Sequence, residues 1–229
     1  DLAELNYQAA EYSARKSSFV PAMEFLIRGI IQLGEHRWEK HYSLTVKVTV
    51  ALTRIQFCCG MYDTCLETAD EVIEHGKSFA DKKPIYHTKL LALLYEERQK
   101  EATDLCLSVL DSLGIHFPRK LVLIKAHAQH TVIDKRLRNL ASTQLMDLPV
   151  PCDPDGNVED AVSFIKRLAE ISFYGGDDGY VVHSTNKLMQ LALDHGRISD
   201  VSIAFLSFAW VKAVGGQLDE ARRLAEVSI

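Results

Sequence analysis

Apolar residues recur at three- and four-residue spacing along most of the chain, which is the period of a helix with one buried face. The clearest case is Ala102, Leu105, Cys106, Val109, Leu110 and Leu113, which share a face and stop at Gly114, where a left-handed helix cap is expected. Residues 95–114 therefore read as the corner of a helical hairpin: one helix ends, a short polar turn follows, and a second helix runs on. The same pattern returns at residues 62–76, 19–34 and 217–229.

Taken in order, residues 2–15 predict a helix with Leu5, Ala9, Ala10 and Tyr12 inward. Ser17-Ser18 makes the turn, with Ser18 as N-cap and Pro21 tolerated in the first turn of the next helix. That helix carries Ala22, Phe25, Leu26, Gly29, Ile30 and Leu33. After a charged link at 35–40, residues 42–59 predict a long helix on the spacing of Leu44, Val48, Ala51, Leu52 and Ile55; the β-branched run at 45–50 makes a strand the local alternative. Gly60-Met61 turns the chain. A polar link at 77–83 leads to a helix opened by Pro84 and ending at Tyr95. Ile115-His116-Phe117-Pro118 breaks the pattern, and 119–140 predicts a further helix. Residues 148–156, rich in proline, cannot be helical. Helices follow at 158–173, 180–195, 199–214 and 217–229, with loops at 175–179 and at Gly215-Gly216.

Helices alternate with short turns and no strand is required, so the predicted fold is all-α. Gly34, Gly76 and Gly114 mark a period of roughly forty residues, near that of helical-repeat proteins. A hairpin cannot bury both of its apolar faces alone, and stacking on its neighbours predicts a right-handed α-α superhelix, a solenoid of antiparallel hairpins. A single domain over 1–229 is expected, with an internal sub-boundary at 147–157. The absence of an initiator Met and the end at Glu226-Val227-Ser228-Ile229, inside an amphipathic pattern, suggest a piece of a longer protein.

The hairpins resemble tetratricopeptide repeats in their small-residue positions. Ala10 with Ala22 and Gly29, Ala209 with Ala221, and the turns Gly216-Gln217-Leu218-Asp219-Glu220-Ala221 and Gly60-Met61-Tyr62-Asp63-Thr64-Cys65 carry that likeness. The chain departs from it in lacking the first-helix aromatic in most units, in its longer links, and across residues 119–179. A second resemblance rests on Phe19…Ala22…Phe25-Leu26…Gly29-Ile30, Trp38-Glu39-Lys40-His41-Tyr42, Val109-Leu110-Asp111-Ser112-Leu113-Gly114, Leu148-Pro149 with Asp153-Pro154, Leu191-Ala192-Leu193-Asp194-His195-Gly196 and Ser202-Ile203-Ala204-Phe205. These positions are similar to the helical region that follows the nucleotide-binding module in multidomain signalling ATPases, among them hybrid histidine kinases. The resemblance implies a regulatory helical relay whose ATPase, sensor and kinase domains lie outside residues 1–229.

A hydrophobic content of 47% is that of a globular chain, and a net charge of −5 with pI near 6.0 argues against a nucleic-acid partner, which needs a basic surface. No apolar run is long enough to span a bilayer. Five cysteines without a C-x-x-C pair read as reduced thiols of a cytoplasmic protein.

Catalytic signatures are missing. There is no phosphate-binding G-x-x-x-x-G-K-[ST] loop, and Gly175-Gly176-Asp177-Asp178-Gly179 is too acidic to cradle phosphate. His127, His130 and Asp134 share one helix face and could hold a divalent metal only with help from elsewhere; ordinary hydrogen-bonded histidines are the simpler reading. Cys58-Cys59 lacks a base at recognisable spacing. No catalytic residue, metal ligand or cofactor is therefore assigned, and a metal or enzymatic protein centred on the histidine helix stands only as a remote alternative. The remaining candidate is the groove lined by the first helix of each hairpin: Tyr7, Glu11, Lys47, Arg54, His87, Leu91, Tyr95, Leu206 and Trp210. Lys47 and Arg54 suit an acidic side chain, while Tyr95 and Trp210 suit an apolar one. The expected partner is a protein or peptide, or neighbouring domains of the same chain, with a free-standing peptide-binding adaptor as the alternative to the relay. The uncovered terminal repeat offers a surface for a homodimer.

Overall fold

A computed structural model describes residues 2–149 and 156–228, and every regular element among them is helical. Thirteen helices are described: α1 (Leu2–Arg15), α2 (Phe19–Leu33), α3 (Arg37–Lys40), α4 (Tyr42–Cys58), α5 (Tyr62–His75), α6 (Phe79–Tyr95), α7 (Gln99–Ser112), α8 (Val122–Arg138), α9 (Ser142–Met146), α10 (Asn157–Gly175), α11 (Asp178–His195), α12 (Val201–Val214) and α13 (Leu218–Val227). They fall into two compact units, residues 1–102 and 103–229, so the segment 147–157 lies inside the second. Val150, Pro151, Cys152, Asp153, Pro154 and Asp155, the heart of the expected irregular stretch, lie outside the described residues, as do Asp1 and Ile229.

One backbone reversal recurs through the chain. At each of five hairpin corners a residue adopts the left-handed conformation, and the next residue's N–H reaches back five positions to a carbonyl of the preceding helix. The left-handed residues are Ser17, Gly60, Glu97, Gly176 and Gly216. The bonds run from Ser18 N to Ser13 O (2.9 Å), Met61 N to Gln56 O (2.9 Å), Arg98 N to Leu93 O (2.8 Å), Asp177 N to Ser172 O (2.8 Å) and Gln217 N to Lys212 O (3.0 Å). This is the Schellman closure of a helix end, and in each case the next helix starts one residue later. Ser17, Gly60 and Glu97 are spaced by about forty residues, so the period expected from sequence is real and is carried by these corners. Of the glycines expected to mark it, Gly114 is left-handed (φ 79°) but Gly76 is not (φ −62°). Gly76 is needed for closeness instead: a Cβ there would sit 2.7 Å from the Val72 carbonyl oxygen.

In the first unit α4 is the central element, packed on α1, α2, α3, α5 and α6. The helical reading of residues 45–50 holds, with Thr45, Val48 and Thr49 fully buried. Thr45 spends its hydroxyl on the carbonyls of Arg37 and His41, and Thr53 on that of Thr49, whereas the buried Thr49 hydroxyl has no hydrogen-bond partner among the described residues. Ala3, Ala10, Ala22, Leu26, Leu33, Val48, Ala51, Leu52 and Ile55 form the core between α1, α2 and α4. The stripe expected on α1 is displaced. Leu5 and Tyr12 are 58% and 62% exposed, because α1 meets its neighbours through small residues at 3 and 10, and Tyr12 instead lies under the Lys16 ammonium. The link at 77–83 is also more ordered than expected. α6 begins at Phe79 behind a capping box of Ser78 and Asp81, reinforced by a hydrogen bond from the Tyr42 hydroxyl to Asp81 (2.7 Å), so Pro84 lies inside the helix rather than at its start.

The second unit is built around α11, which packs on α8, α10 and α12. Nearly every residue from Gly179 to Ala192 is buried, including the polar His183, Ser184, Thr185 and Asn186. A helix buried on all sides shows no clean apolar stripe in its sequence. Ile133, Leu137, Leu145, Met189, Phe205, Phe208, Ala209, Ala221 and Leu224 form the core shared by α8, α9, α11, α12 and α13.

Two outcomes follow. A Cβ at Gly29 would meet the Ala3 carbonyl oxygen at 3.6 Å and Asn6 and Val48 at 3.7 Å, ordinary contact distances. Gly29→Ala should therefore stabilise the first unit by about 0.5–1 kcal/mol through helix propensity, while Gly29→Leu overpacks it and costs ~1–3 kcal/mol; urea unfolding distinguishes them. His183 is edge-on to Phe117, and burial, helped by Lys187 and Lys125, pushes its imidazole down from 6.5 to about 4. Between those values the unfolded chain binds a proton that the folded chain refuses. Stability should fall by roughly 3 kcal/mol as pH drops through that window and lose nothing further from this group below it. Melting curves of wild type and His183→Gln from pH 7 to pH 4 test this, with the variant losing that part of the slope.

Candidate functional site

The first unit gathers the sequence-predicted groove residues of α1 and α4. Tyr7 and Glu11 lie one turn apart on α1, and Lys47 and Arg54 two turns apart on α4. All four line one cavity of about 250 Å³, closed on its third side by Ala80, Asp81 and Pro84 of α6 and floored by Val46, Val50 and Ala51. Hairpin stacking produces this directly, since α4 contacts both α1 and α6. His87, Leu91 and Tyr95 follow Pro84 at helical spacing and extend the same face along α6 without lining the cavity.

The charges of the cavity are unequal in their commitments. Arg54 Nη2 donates to Glu11 Oε1 at 2.7 Å. Asp81 accepts from Ser78 Oγ (2.7 Å), Ser78 N (3.0 Å) and the Tyr42 hydroxyl, and these bonds hold its carboxyl below the usual range. Tyr7 is held above the ordinary phenol value by burial and by Glu11. Lys47 is exposed and has no ion-pair partner among the described residues. Among the described residues the cavity thus offers one cation without an ion-pair partner beside a loosely held second one.

Tyr95 has a different setting from the free anchor expected of it. Its ring stacks on Tyr62 (5.4 Å between centroids, 19°) and meets Phe57 edge-on (5.6 Å), although 65% of the residue remains exposed. Leu206 and Trp210 belong to α12 in the second unit. Both are about half exposed, and Trp210 lines a separate cavity there.

The histidine helix is occupied with structure. Asn186 donates its amide to the Ala126 carbonyl (2.7 Å), which turns its oxygen toward His130 Nδ1 (2.9 Å), so that nitrogen carries the proton. The His130 ring stacks on Phe208 at 4.3 Å, and burial lowers its pKa. Asp134 forms an ion pair with Lys212, whose side chain is almost wholly buried, and a second with Arg138 at 3.0 Å. Lys212 also donates to Gln217 (2.6 Å), which accepts from Arg138 in turn (3.4 Å), closing a ring of four side chains. Burial raises the Asp134 carboxyl, yet the Lys212 hydrogen bond and charge, with those of Arg138, hold it below the ordinary range. Among the described residues no three His, Cys, Asp or Glu side chains are placed to share a metal. Cys65 and Cys106 are buried, their thiols pushed up to about 11 and about 12, far from a reactive thiolate.

Sequence reasoning missed Lys212. The available signal was one lysine in a fourteen-residue helix whose other members are apolar or hydroxyl residues. A buried cation demands a partner, and removing Asp134 leaves it uncompensated. Asp134→Ala should therefore destabilise the second unit by ~3–5 kcal/mol, and Lys212→Met by much less, as read from urea midpoints; a loss below about 1 kcal/mol for Asp134→Ala would contradict the pairing. Among the described residues no helix is long and apolar enough to cross a membrane. No protein-family model and no curated protein matches the chain.

Proposed function

We propose that the chain is a non-catalytic interaction module whose first unit holds an acidic segment of a partner polypeptide in the groove of α1, α4 and α6. The observation that carries this reading is the convergence of Tyr7, Glu11, Lys47 and Arg54 on one cavity in which Lys47 has no ion-pair partner among the described residues. An incoming carboxylate meets the Lys47 ammonium and the Tyr7 hydroxyl, and can replace Glu11 on Arg54. That exchange costs little, since Arg54 is 53% exposed and such pairs are worth ~0–1 kcal/mol. A cavity of about 250 Å³ suits one or two side chains rather than a nucleotide, which points to a peptide. The segment belongs to a separate protein or, as the resemblance to signalling ATPases implies, to a neighbouring domain of a larger chain.

Selection from a randomised dodecapeptide library on the immobilised protein tests the reading. Wild type should enrich peptides rich in Asp and Glu, and Lys47→Glu should lose at least ~tenfold in affinity for them at an unchanged melting temperature. Recovery of uncharged or basic peptides, or equal retention by Lys47→Glu, refutes it.

A further inference from the structure

The cavity of the second unit has a different chemistry. It is enclosed by α8, α11 and α12, measures about 300 Å³, and includes Leu123, His127, Asp178, Val182, Trp210 and Val214 in its lining. Its walls are mostly aliphatic, and the Trp210 indole is 48% exposed, with Phe173 edge-on to it at 6.3 Å. Asp178 is the only carboxylate in the lining, and among the described residues it has no ion pair and no hydrogen bond from a side chain. Among the described residues no lysine or arginine lines the cavity, and the cation nearest along α12, Lys212, is committed to Asp134 and Gln217.

We propose that this cavity receives an arginine side chain from a partner polypeptide. Arginine joins an apolar stem to a planar, weakly hydrated cation. The stem matches the aliphatic wall, the guanidinium stacks on an aromatic ring, and its forked donors suit a single carboxylate. A purely apolar side chain would strip water from Asp178 and give nothing in return, and an acidic one would meet like charge. Lysine offers the same charge without the planar fork or the stacking surface. The site is thus complementary in sign to the groove of the first unit, and its failure would leave the reading of that groove untouched.

The chain has two tryptophans, Trp38 and Trp210, so its indole N–H resonances report the two units separately. The probe is the peptide Ac-Ala-Leu-Arg-Leu-Ala-NH2, compared with its citrulline analogue, which keeps the shape and removes the charge. The arginine peptide should shift the Trp210 indole, assigned with Trp210→Phe, and leave Trp38 in place. The citrulline analogue should bind roughly fivefold more weakly or worse, and Asp178→Asn should reduce the arginine peptide's affinity to a similar degree. Equal binding of the two peptides, a shift at Trp38 instead, or no shift at millimolar peptide overturns the proposal. The citrulline comparison uses the unaltered protein, so it decides the matter whatever Asp178→Asn does to folding.

Discussion

A helix that ends must satisfy its last carbonyls and release the chain in a usable direction. In this protein one device does both at five corners. A single left-handed residue lets the following N–H close back on the helix, and the next helix starts immediately. At the four corners whose two helices lie within one unit, the reversal is so short that the second helix packs back on the first, as α1 with α2, α4 with α5, α10 with α11 and α12 with α13 do. Two of the five corners use Ser17 and Glu97 where glycine would be unstrained, and at Ser17 the packing of α1 on α2 offsets that local cost.

The two units then bury different things. The first is a small-residue interface, where alanines at 3, 10, 22 and 51 let helix axes approach and Thr45 and Thr53 on α4 turn their hydroxyls back to backbone carbonyls one turn earlier. The second encloses polar groups and a charge. Asn186 bridges Ala126 and His130, and Lys212 is held by Asp134 and Gln217. Polar partners of this kind are directional, so they specify how α8, α11 and α12 meet in a way that leucine contacts do not. Two of the three groups that looked most like a metal site, His130 and Asp134, are thereby held by structural partners, while His127 lines the cavity of the second unit.

What remains for function is what the packing leaves unspent. In the first unit that is Lys47, beside an exchangeable Glu11–Arg54 pair. In the second it is Asp178, which lines one cavity together with Trp210. Each is a charge without an ion-pair partner among the described residues, in a cavity of about 250 or 300 Å³, and both cavities are proposed to take side chains of another polypeptide.

The sequence by itself determined where most of the longer helices run, though not the short α3 and α9, because a 3.6-residue period and a left-handed corner are local properties. It also placed Tyr7, Glu11, Lys47 and Arg54 on helix faces that meet, since hairpin stacking brings first helices side by side. It misassigned Leu5 and Tyr12, whose spacing on α1 fits two faces equally; only the neighbours α2 and α4 decide which one is covered. It set the start of α6 at Pro84 although Ser78 and Asp81 form a local capping box, and only the packed structure adds the Tyr42 hydroxyl that reinforces that box. Nor could it show that α11 is buried on every side or that Lys212 finds Asp134. Those outcomes depend on which helices surround a given residue, and that information belongs to the packed structure rather than to any local stretch of chain.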